Sequence, residues 1–198
     1  MVAPLLEPVT GRERVLDAAA ERFVVQGYAA TTLRQIAGDV GIKAGSIYHH
    51  FDSKDELFAA VLQQGIDVMV AAFERVTTDL DGEIDARTRL ATHVRAHLGA
   101  LFEHGPFTAN HVTAFFTAPP EVRDRSVPIR DAYEARWTEL LDDLQSTGAI
   151  RQRVDTGLLR LTLFGTMNWS VEWFDPQRGN LDEFAAEIID QFWNGVAT

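Results

Sequence analysis

Lys43, Gly45, Ser46, Tyr48 and His49 put a cation, an imidazole, two hydroxyls and one position without a side chain inside seven residues. That set suits the holding of nucleic acid. Lys43, Gly45 and Ser46 would approach base edges, with Gly45 allowing close contact, and Tyr48 and His49 would grip phosphates. A lysine here has guanine as its natural target, because guanine offers two acceptors in the major groove. The plainer reading is solvated surface for Lys43 and Ser46.

The elements that must position these groups are legible around them. Ala37 is small where one helix must cross close over the next. Gly41 follows the last apolar residue of that helix, where the chain needs a positive φ. Ile47 is the anchor of a second short helix. Ala, Gly four residues on and a branched apolar residue six further on is the spacing of a helix-turn-helix. Thr32-x-x-Gln35 and Ser53-x-x-Glu56 read as capping boxes. Before them, Leu16, Ala19, Ala20 and Phe23 stripe a helix that Gly27 stops. The second helix buries Leu33, Ile36, Ala37 and Val40, and the short helix runs from about Ala44 to Phe51, with Ile47 and Phe51 as core.

The run from Gly45 to Leu57, Gly-Ser-Ile-Tyr-His-His-Phe-Asp-Ser-Lys-Asp-Glu-Leu, closely resembles the DNA-binding domain of TetR-type transcriptional repressors. The resemblance implies an all-α protein. Residues 1–9 would be a flexible arm and 10–55 the DNA-binding domain, with the helix-turn-helix at about 32–51. Residues 56–198 would bind ligand and dimerise, giving about nine helices in all. It also implies that Thr31, Thr32 and Lys54 anchor phosphates, although Thr32 is explained equally well by capping.

Composition narrows the remaining classes. The chain has 198 residues, 46% hydrophobic and 24% charged, and no cysteine. Disulfides and thiolate chemistry are excluded, which fits a cytoplasmic protein. The start lacks the pattern of a secretory signal, and no run of eighteen apolar residues suggests a membrane span. No nucleophile elbow, phosphate-cradling loop or dinucleotide fingerprint points to an enzyme, and no cofactor is expected. The net charge is −11, yet the first 52 residues carry five basic and six acidic side chains. The acidic excess therefore lies in the remainder, facing away from DNA, and a shallow dependence of DNA affinity on salt is expected.

The second part reads as a bundle of amphipathic helices. Between Asp79 and Glu83 a turn is expected. Gly105-Pro106 and Pro119-Pro120 break helices, and Ser126-Val127-Pro128 reads as a new start with proline in its first turn. Phe102, Phe107, His111, Phe115, Trp137, Phe164 and Asn168 are candidates for lining a ligand pocket. Trp169, Trp173, Phe184, Ile188 and Phe192 are candidates for a dimer interface. For any single aromatic, ordinary core is the plainer reading. The run Gly165–Phe174 resembles the TetR-type regulators that sense acyl-CoA thioesters in fatty-acid or steroid breakdown.

The expected protein is a homodimeric repressor released from a palindromic DNA operator by a small hydrophobic effector. One alternative is a multidrug-type repressor of an efflux gene. Another, from a different class, is a small-molecule carrier or metal sensor with little DNA binding. An acyl-CoA would need cations, for which Arg123, Arg125, Arg130 and Arg136 are candidates. His93 and His97 have the i, i+4 spacing of metal ligands, with His104 and His111 following. No cysteine or carboxylate sits at ligand spacing beside them, so no metal is expected.

Overall fold

The computed structural model describes residues 10–80 and 84–198. The expected arm, 1–9, and residues 81–83 of the expected turn lie outside the described residues. Among the described residues the chain forms nine α-helices and two short 3₁₀ turns, and no strand; one isolated bridge pairs Ile150 with Ala197.

Four helices build the N-terminal part: α1 (Gly11–Ala30), α2 (Leu33–Asp39), α3 (Ala44–Ile47) and the first half of α4 (Lys54–Asp79). Capping sets where they begin. Thr10 and Glu13 form a reciprocal capping box on α1, and Thr32 and Gln35 form one on α2. Ser53 accepts from the Glu56 amide at the start of α4, while Glu56 reaches back to the Asp52 amide instead of that of Ser53. Glycine sets where they end. Gly27 has φ 76° and breaks α1 before its last turn, and Gly41 has φ 70° in the turn after α2. Regular helix in α3 is shorter than the sequence suggested. Past Ile47 the chain continues in turns, closed by the Phe51 amide on the Ile47 carbonyl at 3.0 Å.

Helix α4 belongs to two cores. Its first turns put Leu57, Phe58, Val61 and Leu62 into a core with Phe23, Ile36, Ala37, Ile47 and Phe51. Its later turns put Ile66, Met69 and Phe73 into a second core with Leu98, Trp137, Leu141, Leu163 and Ile189. This double burial explains a composition apolar enough, by length and hydropathy, to cross a bilayer.

The second core is built by α5 (Ala86–Glu103), α6 (Gly105–Thr113), α7 (Pro120–Ser146), α8 (Thr156–Trp169) and α9 (Leu181–Val196). Helix α7 corrects the expected start at Ser126, because it runs unbroken through Pro128. A mid-helix proline loses one backbone bond and costs about 3 kcal/mol. The helix continues because both of its halves are anchored. Val122 is buried in the first core and Tyr133, Trp137, Leu140 and Leu141 in the second. Ala114, Phe115 and Ala118, between α6 and α7, also sit in the first core, so the body reaches into the head.

Candidate DNA-reading head and effector cavity

Two arginines clamp the head from within. Arg22 of α1 grips Asp39 of α2 through two bonds of 2.5 and 2.6 Å, and this pairing holds the Asp39 carboxyl below the usual carboxylate range. Arg14 donates to the Val40 carbonyl at 2.7 Å, closing the end of α2. The Ile42 amide returns to the Ala37 carbonyl at 3.0 Å across the turn. Ala37 is buried, and so is Ile47. The small residue, the glycine turn and the anchor therefore sit as their spacing demands.

Lys43 is the residue before the first turn of α3 and is exposed, as are Gly45 and His49; Tyr48 is 58% exposed. Ser46 is half-buried. Gly45 has no positive φ, and a Cβ there would meet nothing within 4 Å. The fold does not require glycine at this position.

Two expected phosphate anchors are differently employed. Thr31 is a correction: it is wholly buried, and its hydroxyl donates to the Gly27 carbonyl at 2.8 Å. It ties down the carbonyl freed where α1 breaks. The Lys54 ammonium lies 4.1 Å from the centre of the Tyr28 ring and donates to the carbonyls of Tyr28 and Thr31 at 2.9 and 3.0 Å. Two of its three donors thus close the end of α1. Thr32 remains exposed, with its hydroxyl engaged by Gln35.

Below the head, a cavity of about 290 Å³ opens between α4, α5, α6, α7 and α8, near the lower end of the usual size for ligand sites. Of the expected lining residues, the structure brings His111, Phe164 and Asn168 to it. Four are corrections. Trp137 is wholly buried in the second core and Phe115 in the first. Phe102 packs on Phe174, with ring centres 5.3 Å apart, and Phe107 packs against the first core. These aromatics bridge helices where the bundle closes, which serves burial and leaves them no face toward the cavity.

Sequence reasoning placed Asn168 at the cavity but missed its polar partners His97 and Tyr133. The Tyr133 hydroxyl donates to His97 Nδ1 at 2.8 Å, and His97 Nε2 donates to Asn168 Oδ1 at 2.9 Å. This chain joins α7, α5 and α8. The three residues are far apart in sequence, so no local spacing marks them. Burial lowers the His97 pKa to about 4, partly opposed by the Asn168 bond, and burial pushes the Tyr133 phenol up. Both groups stay neutral at ordinary pH. His93 meets the Thr77 hydroxyl and the Arg89 carbonyl instead. The two histidines four apart thus serve different partners.

The candidate interface residues divide. Trp169 and Trp173 are about 60% exposed, together with Leu158 and Leu161. Ile188 is a correction, since it is buried in the second core. Phe184 stacks on Phe174 and is half-buried, as is Phe192.

Comparison with known proteins agrees with this geometry. Residues 15–61 match the family model for bacterial regulatory proteins of the tetR family, and residues 83–196 match the model for a tetracyclin repressor-like C-terminal domain. The chain is 28% identical to the HTH-type transcriptional repressor KstR2 of Mycolicibacterium smegmatis, over 86% of this chain and 82% of that one. The structure of the TetR family regulator PfmR from Thermus thermophilus superposes with a TM-score of 0.81 at 28% identity, covering 96% of this chain and all of that one. The regulator FadR of Bacillus subtilis, solved with stearoyl-CoA, shares the fold at a TM-score of 0.75 and 22% identity, over 92% and 97% of the two chains. With a helix-turn-helix that folds as its spacing demands and family models matched in both its parts, the chain belongs to the tetR family of bacterial regulatory proteins.

Proposed function

We propose that the protein is a homodimeric repressor whose grip on a palindromic operator is released when an acyl thioester enters the cavity. One observation carries the coupling. Leu62 of α4 lies in the core of the head, and Gly65, Ile66 and Met69 of the same helix wall the cavity. A ligand pressing on that wall bears on the helix under the reading head. Half-site spacing is a rigid requirement, so a small displacement there is enough to weaken DNA binding.

The thioester class rests on the mainly apolar cavity and on the relatives: FadR is solved with stearoyl-CoA. Of the arginines considered for its phosphates, Arg136 is paired with Glu74 at 2.9 Å and Arg130 lies in the cavity wall. Arg123 and Arg125 have no carboxylate partner among the described residues, which leaves them as the candidates. The test is selection of bound sequences from a random duplex library, followed by anisotropy titration of the enriched site with acyl-CoAs. Enrichment of a palindrome and release by a thioester are expected. Release by drug-like cations alone would favour an efflux regulator, and no enrichment from folded, ligand-free dimer would overturn the reading.

The reading head gives two predictions and the dimer one. Gly45→Ala is expected to leave thermal stability unchanged, since its Cβ meets open space, yet to weaken operator binding by crowding the DNA. Lys43→Ala is expected to cost about 1–3 kcal/mol at one base pair and relax preference there; an unchanged preference in a repeat selection would remove Lys43 from the readout. Leu158 and Trp173 expose apolar surface on and just beyond α8, and a two-fold dimer would bury it. Replacing both by Glu should yield monomer in sedimentation and lose operator binding. A dimer that persists would place the interface elsewhere.

A further inference from the structure

The head has few cations with which to hold DNA. Its first 52 residues carry five basic side chains, Arg12, Arg14, Arg22, Arg34 and Lys43. Two are engaged inside the protein, Arg14 on the Val40 carbonyl and Arg22 on Asp39. Lys54, just beyond, closes the end of α1. Lys43 stands before α3 as the candidate for base contact, and Arg34 is exposed on α2, within the helix-turn-helix itself. Arg12 remains, and it lies outside that motif, in the first turn of α1.

The first turn of α1 packs beside the segment that follows α3. The Arg12 guanidinium carbon lies 4.9 Å from the centre of the Phe51 ring, and a Cβ on Gly11 would lie 3.3 Å from His50 Nε2. Phe51 is buried, whereas Tyr48, His49, His50 and Arg12 are all exposed. Arg12 thus adjoins the exposed residues 48–50, of which Tyr48 and His49 are candidates for phosphate. Its acidic neighbour in sequence is occupied: the Glu13 carboxylate accepts from the Thr10 amide at 2.7 Å, as part of the α1 cap. Among the described residues, no carboxylate oxygen lies within 4.0 Å of the Arg12 guanidinium nitrogens. The Phe51 ring restricts where the guanidinium can stand, so less freedom is lost when it meets an anion.

We infer that Arg12 grips a backbone phosphate of the operator, at the edge of each half-site beyond the bases read from α3. The partner is a phosphodiester oxygen, and the contact carries no sequence information. This rests on α3 being the reading helix. With so few cations on the head, one such contact is a large share of its electrostatic grip. Each phosphate neutralised adds about 0.9 to the slope of log affinity against log salt. A two-fold dimer makes the contact twice, so about 1.8 of that slope belongs to Arg12.

The test titrates the full-length protein by anisotropy against its selected operator and an unrelated duplex, from about 0.05 to 0.3 M salt. Arg12→Gln keeps a long side chain on Phe51 and removes the charge. It is expected to lower the operator slope by about 1.8 and to weaken binding about fiftyfold at 0.1 M salt. Sequence preference in a repeat selection should stay the same, and Arg12→Lys should retain the slope. Operators carrying one neutral methylphosphonate at a time then locate the contact. At one symmetry-related pair of phosphates, the loss seen with the parent should vanish in Arg12→Gln. The proposal is overturned if Arg12→Gln keeps the parent slope, if Arg12→Lys loses as much as Arg12→Gln, or if every phosphate keeps its effect in Arg12→Gln. An Arg12 that serves only to pack on Phe51 would lower the melting temperature when replaced and leave the slope alone. If no operator is selected, it is the repressor reading that fails, and the unrelated duplex decides Arg12, because a phosphate contact holds any sequence. A shallower slope for Arg12→Gln on that duplex supports the contact, and equal slopes sink it.

Discussion

Lowering the pH from 7 to 4 is expected to destabilise the protein strongly, with buried histidines as a main cause. His97 and His111 both have folded pKa values lowered to about 4, chiefly by burial, against an unfolded value of about 6.5. Between those values the unfolded chain binds protons that the folded one refuses, so stability falls as pH falls. The loss begins near pH 6.5 and is complete just below 4. Each pKa unit is worth about 1.4 kcal/mol, so each histidine contributes roughly 3 kcal/mol of lost stability. Together they amount to about 6 kcal/mol, which is a large share of the roughly 5–15 kcal/mol that a domain has in total.

The sign is robust, because protonation has nothing to gain at either site. The proton would have to go to His97 Nδ1, which accepts from Tyr133, or to His111 Nδ1, which lies close enough to Arg130 to feel its charge. His93, also lowered by burial, adds to the loss. Asp17, raised by partial desolvation and by the neighbouring Glu13, works in the opposite direction, but its side chain keeps contact with solvent and its effect is small. Urea unfolding at pH 7, 6, 5 and 4 checks the expectation. A free energy flat from 7 to 5, or a His97→Gln variant with an unchanged pH profile, would refute the assignment.

What was legible in the sequence was local. Thr32 and Gln35, Gly41 at φ 70°, and Ile47 beneath α3 each state their role through neighbours a few positions away. The misreadings came from distance. That Gly27 stops α1 is legible in the sequence, but not that the carbonyl freed there takes the Thr31 hydroxyl. Nothing near Lys54 shows the Tyr28 ring, 26 residues earlier, lying under its ammonium. Pro128 reads as a helix start on local rules, and only the anchoring of α7 in two cores overrides them. The cavity shows the same limit. Aromatic content pointed to Phe102, Phe115 and Trp137, which the bundle spends on packing. The groups that give the cavity its character, His97, Tyr133 and Arg130, meet only after folding.

Gly65→Ala is expected to destabilise the protein and weaken operator binding in the absence of any effector. Helix propensity alone predicts the reverse, since alanine is favoured over glycine by about 1 kcal/mol inside a helix. Space decides otherwise. A Cβ on Gly65 would lie 2.7 Å from the Phe107 carbonyl oxygen and 3.1 Å from His111 Cδ2. The first is main chain of α6, so the whole helix must yield. Overpacking of this kind costs about 1–3 kcal/mol, which outweighs the propensity gain. The direction of yielding matters for function. Helix α6 is tied to the head by Asn110, which is wholly buried and donates to the Ala20 carbonyl of α1 at 3.0 Å. Pushing α6 off α4 therefore strains the joint between cavity and head, as a ligand wedged between the same helices would. Operator affinity is expected to fall by about tenfold, within the usual 1–3 kcal/mol of such coupling, and added effector should lower it little further. Gly195→Ala in α9, whose Cβ meets nothing within 4 Å, serves as the control and should be neutral or slightly stabilising. A Gly65→Ala protein as stable as the parent, binding operator and responding to effector as the parent does, would show that α4 and α6 slide freely and that the head is coupled to the cavity by another route.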